Sequence, residues 1–263
     1  MNQQKKREYW QVFDRFRKSR ELIYTPKIAK VLNQQKVEFI EKYKQGHLIG
    51  MKLNAEPLQA LIRTLCLDAG IRFGHKVLVN IKRQKTEQKA RMPIGFNARM
   101  QELIEQYYLM DFHDFADSIT DTTRDLLQKV LIRAQADGLG FDDTIKQLEA
   151  TELSRARARL IARTETVTAA NSGAHLSAKE SGILVKKVWI ATQDDRTRHD
   201  HYFVSAEAID IDDPFIVGPY QMDHPGVRKQ PNGLAVPPKE VCNCRCVVAY
   251  EPVRDAAGRT ITN

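Results

Sequence analysis

Residues 182–192 read Gly-Ile-Leu-Val-Lys-Lys-Val-Trp-Ile-Ala-Thr, and the run from Leu184 to Thr192 is dense in β-branched and aromatic side chains. Such a run predicts a strand. Everything before Gly182 has helical periodicity, so this glycine marks the change from helix to sheet. Arg245–Tyr250 repeats the strand pattern. Between the two lie Pro214, Gly218-Pro219, Pro225-Gly226, Pro231-Asn232-Gly233 and Pro237-Pro238, which is turn chemistry throughout. The fold class expected is α+β: a mainly helical N-terminal region followed by a small, loop-rich antiparallel α+β module. The tail from Val253 to Asn263 is expected to be short and poorly anchored.

Working back toward the N-terminus, Tyr9, Val12, Phe13 and Phe16 fall at i, i+3, i+4 and i+7. Leu58, Leu61, Ile62, Leu65 and Ala69 repeat that spacing after Pro57. Ile28, Val31, Leu32, Phe39, Ile40 and Tyr43 follow Pro26, which predicts a separate helix ending by Gly46 or Gly50. Met100, Leu103, Ile104, Tyr107 and Tyr108 make another stripe. Leu126, Leu127, Val130, Leu131 and Ala134 make a further one, stopped at Gly138 and Gly140. Asp142 is the expected cap of a short helix, and Ser154 of a long one from Arg155 to about Ser181. On that long helix Ala158, Ile161, Ala162 and Glu165 share one side, with Arg163 pointing elsewhere. The divisions expected are a basic helical region over 1–95, a helical connector over 96–153, the α+β module over 154–252 and the tail over 253–263.

At 263 residues with 42% hydrophobic content, the chain can bury one large or two modest cores. No apolar run approaches the roughly 20 residues of a membrane span. The charged, Gln-rich N-terminus lacks the apolar stretch of a secretory signal, so synthesis in a cytosol is expected. The net charge of +8 conceals an asymmetry: residues 1–100 hold 22 Lys or Arg against 8 Asp or Glu, leaving 19 against 25 for the rest. The basic part would attract polyanions, chiefly DNA, with a steep salt dependence. Within it, Asn80–Arg91 carries Lys82, Arg83, Lys85, Lys89 and Arg91 with few apolar residues, as an exposed helix end or a mobile arm. These five are the candidate nucleic-acid contacts.

The last hundred residues hold a series of signatures in fixed order. Arg163-Thr164-Glu165-Thr166 comes first, then Trp189 with Asp194-Asp195-Arg196-Thr197-Arg198 and His201, then Pro214-Phe215, and finally Cys242-Asn243-Cys244-Arg245-Cys246. Together they resemble the phage Mu F-like minor head proteins, also called phage head morphogenesis proteins. The resemblance begins near Phe96, sharpens at Ile161–Thr168 and runs to about Pro252. It implies a minor structural component of a tailed-phage head, and since the residues show no reaction motif, no enzymatic activity is expected. Such a protein is assembled in the host cytoplasm, associates with the portal protein and other head proteins, and contacts packaged double-stranded DNA. Its place would be the virion, in the head interior or at the portal vertex. Proteins of this kind sometimes carry a fused toxin or enzyme domain, for which the few residues after Cys246 leave no room.

The residues themselves offer three candidate sites. Cys242, Cys244 and Cys246 alternate along an extended segment, and thiolates beside an imidazole bind zinc tetrahedrally. His201, His199 or His224 could complete such a site, while the resemblance attaches to Cys244 and Cys246; the metal-ligating set is therefore His201, Cys244 and Cys246. Small buried cysteines beside a core strand are the plain alternative. Asp194, Asp195, Asp200, His199 and His201 form a carboxylate and imidazole cluster of the sort metal-dependent nucleases use, and Asp194, Asp195 and His201 would be the reacting groups of that second reading. The plainer reading is a turn fixed by charge-assisted bonds from Asp195 to Arg196 or Arg198. Arg163 and Glu165 are read as locking the long helix onto the module by pairing with the charges around Asp194–Arg198. Arg163, Glu165, Asp194, Asp195, Arg196, Arg198 and His201 thus form a structural polar signature. A third reading is a host DNA-binding protein unrelated to phage assembly.

Overall fold

The computed structural model describes residues 1–47, 50–85, 95–108, 111–153, 155–192, 194–204 and 207–262, the side chains of 85, 108 and 111–113 excepted. Six helices come first: α1 (Gln3–Lys44), α2 (Glu56–Lys85), α3 (Phe96–Tyr108), α4 (Asp111–Ala136), α5 (Phe141–Ala150) and α6 (Arg155–Lys179). Then follow β1 (Val185–Ile190), α7 (His199–Tyr202), β2 (Ile209–Asp210), β3 (Phe215–Val217), β4 (Tyr220–Met222), α8 (Pro238–Val241) and β5 (Val247–Pro252). A helical N-terminal region leads into a small antiparallel module, and the fold is α+β.

The compact units do not follow the sequential division at 95, 153 and 252. One gathers Met1–Glu21, Leu65–Tyr107 and Arg163–Asn263; the other gathers Leu22–Thr64 and Tyr108–Ala162. Each is built from non-contiguous segments because α1, α2 and α6 are long enough to contribute to both.

In the first unit β1 is the central strand. It pairs antiparallel with β5 from Val185↔Pro252 to Ile190↔Val247, and with β2 at Lys186↔Asp210 and Lys187↔Ile209. Val188, Trp189 and Ile190 are buried in succession, so both faces of the strand are covered, and the period-2 alternation of a half-exposed sheet is missing. From Thr164 to Ser177 every residue of α6 but Leu176 is buried, the pattern of a helix enclosed on all sides. Small residues make that enclosure possible. A Cβ on Gly173 would lie on the Gly70 backbone, and one on Gly74 would sit 2.7 Å from the Gly173 carbonyl oxygen. The two helices therefore approach at van der Waals limits where both carry glycine.

The second unit has its own core of Phe39, Ile40, Tyr43, Met51, Leu53, Leu127, Leu131 and Leu148, with Val130 and Ile145 against it. A buried Gln35 amide donates to Thr120 Oγ1 at 2.9 Å, and Arg157 spans Thr123 Oγ1 and the Ile119 carbonyl at 2.9 and 3.0 Å.

Three local expectations need correction. No helix starts at Pro26; α1 continues through it. Proline frees the carbonyl of Leu22, but Leu22 is 76% exposed and water can take that bond, while buried Tyr24, Ile28 and Leu32 hold the helix on its core face. Residues 253–262 are anchored. Leu184 N–H donates to the Ile261 carbonyl at 2.9 Å, Val253 N–H to the Leu184 carbonyl at 2.8 Å, and Ile183 bridges Thr262. Asp255 closes that return by accepting the Arg259 N–H at 2.8 Å. At α5 the cap position is Gly140 with no side-chain bond, and Asp142 lies in the first turn. The Ser154 cap falls outside the described residues.

Candidate functional site

The Arg163–Thr166 signature lies on α6 where that helix becomes enclosed, so each polar side chain must find a partner or lose its solvation. Glu165, 3% exposed, receives Arg228 Nη2 at 2.6 Å. Arg163 donates to both oxygens of Glu21 at 3.0 and 3.3 Å and to Asn243 Oδ1 at 2.7 Å. Glu21 also pairs with Arg17, which pairs in turn with Asp14. Thr164 Oγ1 accepts the Asn243 N–H at 2.9 Å. Asn243 has φ 61°, the left-handed conformation asparagine tolerates better than most, and it turns the chain between Cys242 and Cys244. Arg163 and Glu165 thus bind the helix to the 224–246 segment and to α1, and their ionic partners are Glu21 and Arg228, not the Asp194–Arg198 charges expected. Thr168 continues the line by donating to the Gly226 carbonyl at 3.1 Å. Gly226, at φ 87°, has no room for a Cβ against Thr168.

Asp194 is held at the loop after β1 by a bidentate pair with Arg245, at 2.6 and 2.7 Å. That guanidinium lowers its carboxyl to about 2, helped by Thr197 and the Arg196 N–H. The sequence reading assigned loop fixing to Asp195 with Arg196 or Arg198. In the fold Asp195 is exposed, Asp194 carries the bonds, and Arg198 donates to the Cys242 carbonyl at 2.5 Å. Arg196 lies 3.6 Å from Asp194 with its side chain mostly in solvent.

His201 turns away from these carboxylates. Its Nδ1 lies 3.6 Å from Cys244 Sγ and 3.5 Å from Cys246 Sγ, and its Nε2 lies 3.2 Å from Glu240 Oε2. All four side chains are buried. The thiols are unequal: the Cys246 thiol and His201 hold Cys244 well below the ordinary thiol range, while that contact and burial push Cys246 up. Cys242 is half-buried and lies outside the group. His199 is exposed beside Asp200. His224 is elsewhere, its Nε2 3.1 Å from Tyr107 Oη and 3.3 Å from Ser172 Oγ. Asp194 and His201 do line one cleft of about 350 Å³ with Lys6, Arg7, Trp10 and Thr192. There Asp194 is committed to Arg245 and His201 to the thiols, so Asp194, Asp195 and His201 do not converge as a reacting set.

Of the candidate nucleic-acid contacts, Lys82 is half-buried and Arg83 exposed at the end of α2. The Lys85 side chain, Lys89 and Arg91 lie outside the described residues. Sequence reasoning missed Glu21, Arg228, Asn171 and Glu240, since each gains meaning only from a partner far along the chain. Gly70 and Gly74, four apart, were a visible small-residue signal for the close helix approach.

A helix-cored α+β module, closed by buried ion pairs and carrying a His–Cys–Cys group, is the class this geometry defines. Residues 125–249 match the family described as Phage Mu protein F like protein, from within α4 to within β5. Through this module the chain is similar to the phage Mu F-like family. It is 32% identical over 116 residues to minor head protein GP7 of Bacillus phage SPP1, a match covering 43% of this chain and 36% of that protein. It is also 36% identical over 101 residues to the NAD(+)–arginine ADP-ribosyltransferase EFV of Enterococcus faecalis, covering 37% of this chain and 19% of that protein. The chain thus matches about a third of one relative's length and a fifth of the other's. No solved structure matches it. No helix among the described residues is long and apolar enough to cross a membrane.

Proposed function

We propose that this chain is a minor head protein of a tailed bacteriophage, carried in the virion, which docks on the portal protein at the portal vertex during procapsid assembly and meets packaged DNA through its basic N-terminal segments. The observation that carries this reading is the module itself: the match over 125–249 and the likeness to a minor head protein fall on the part of the chain whose polar signature, the exposed Asp195 and Arg196 apart, is spent on internal bonds. A scaffold needs its charges spent in that way; a reaction centre needs some of them facing a substrate. The likeness to an ADP-ribosyltransferase covers a fifth of that enzyme, and it supports reading the module as a part shared by proteins of different activity.

The DNA contact has a candidate surface. An open groove of about 1090 Å³ is lined by Arg15, Arg20, Arg72, Lys76 and Arg83, with Asp68 the single acid among the described residues that line it. Arg20 and Arg72 both pair with Asp68, so the groove keeps a basic excess. Tagged chain recovered from phage-infected cells is expected to co-purify with the portal ring. On duplex DNA, exchanging Arg15, Lys76 and Arg83 for Glu together should lower affinity at least about tenfold and flatten its salt dependence. Recovery without portal, together with measurable turnover of NAD, would replace the scaffold reading with an enzymatic one.

A further inference from the structure

His201, Cys244 and Cys246 bring three metal-binding atoms within 4.8 Å of one another, on side chains no more than 3% exposed. We propose that they form a structural zinc site, with His201 Nδ1 and the two thiolates as ligands and Glu240 orienting the imidazole from its far side.

The spacing fits the ion. Zinc sits about 2.0–2.1 Å from an imidazole nitrogen and about 2.3 Å from a thiolate, and at a tetrahedral angle those bonds place nitrogen and sulfur about 3.6 Å apart. His201 Nδ1 lies 3.6 and 3.5 Å from the two sulfurs. One hydrogen bond does not account for both contacts, because an unprotonated Nδ1 offers a single lone pair and the two thiols would compete for it. The carboxylate of Glu240 stands 3.2 Å from Nε2, both atoms buried and short of hydrogen-bond geometry, which favours the ring proton on that side and leaves the Nδ1 lone pair facing the sulfurs. A carboxylate behind a histidine is the usual outer partner of a zinc ligand.

A backbone donor also faces one of the sulfurs. Cys246 N–H approaches Cys244 Sγ at 3.4 Å. Zinc binding releases the thiol protons to solvent and leaves a fourth position for water, which the cleft walled by Trp10, Thr192 and His201 can supply. The ion would join α7, the chain entering β5 and, through Glu240, α8. Thiolate and imidazole donors with no carbonyl or second carboxylate favour zinc over magnesium or calcium.

The test is metal analysis of the full chain purified without chelator and, separately, refolded with added zinc. About one zinc per chain is expected, retained in C242S and lost in C244S and C246S. Because those variants could fail to fold, the wild-type chain is also loaded with cobalt(II); the expected spectrum has thiolate-to-cobalt charge-transfer bands and the visible bands of tetrahedral cobalt. E240Q should keep the cobalt spectrum and weaken zinc affinity about 10–100-fold. Folded wild-type protein that holds no zinc after either preparation and gives no thiolate–cobalt bands overturns the site. Neither result depends on whether the chain docks on a portal.

Discussion

The side chain of Asn171 pairs with the backbone of Val248: Oδ1 accepts the Val248 N–H at 2.9 Å, while Nδ2 donates to the Cys246 carbonyl at 3.2 Å. One residue of α6 thereby takes the place of a neighbouring strand along the free edge of β5. Tyr9 Oη and Trp10 Nε1 continue the cover on the Val248 and Arg245 carbonyls, at 3.3 and 3.1 Å. Asn171→Leu should cost about 2–4 kcal/mol, because it strands a buried donor and acceptor together. Hydrogen exchange at the Val248 amide should accelerate more than at Val188 on the interior strand. Equal acceleration at both would mean a global loss and no specific edge role.

Glu165 and Arg228 call for a double-mutant cycle. Either partner alone replaced by Met leaves a charge in a closed site, and each single change should cost about 3–5 kcal/mol. The double replacement should cost clearly less than the two together, and denaturant midpoints of the four proteins measure the coupling. Strict additivity would show that the pair does not close the helix onto the module.

Gly173→Ala is expected to destabilise by about 1–3 kcal/mol or more, since its methyl group would meet the Gly70 backbone, which cannot yield as a flexible side chain does. A thermal melt within error of wild type would refute the close approach of α2 and α6. The same change at most exposed helix positions would be favourable.

Stability should fall in mild acid. Burial lowers His224 to about 4 and pushes His175 well below the ordinary imidazole range, with His224 beside it adding to the effect. Both are then neutral in the fold at a pH where the unfolded chain binds protons. Stability is therefore full above about pH 6.5 and declines as pH falls toward 4, with the unfolded state binding more protons across that window. His224→Gln should shrink the decline between pH 6.5 and 4 in denaturant melts. An unchanged slope would place the acid sensitivity elsewhere.

Local chemistry in this sequence was legible and its long-range pairing was not. The β1 run, the stops at Gly46, Gly138 and Gly182, and the stripe from Ala158 to Glu165 follow from spacing alone, and each appears where expected. The pairing of His201 with Cys244 and Cys246 could be guessed from ligand chemistry, since few other groups could share those thiols. Glu21 as partner of Arg163 could not, because 142 residues separate them and an acidic residue on an amphipathic helix is ordinary. Asp194 and Asp195 were indistinguishable as letters; the register of β1 against β5 brings Arg245 to the first and leaves the second in solvent. The enclosure of α6 was hidden for a related reason: alanine, serine and threonine look half-polar in a sequence, yet between packed elements they are the residues that let backbones approach.

The most direct test of the head-protein account is quantitative mass spectrometry of purified particles and DNA-free procapsids from the source phage. The expected result is this chain in both, at a copy number close to that of the portal subunit and far below that of the major capsid protein. Absence from both particles, with the chain found only in the infected-cell lysate, would contradict it.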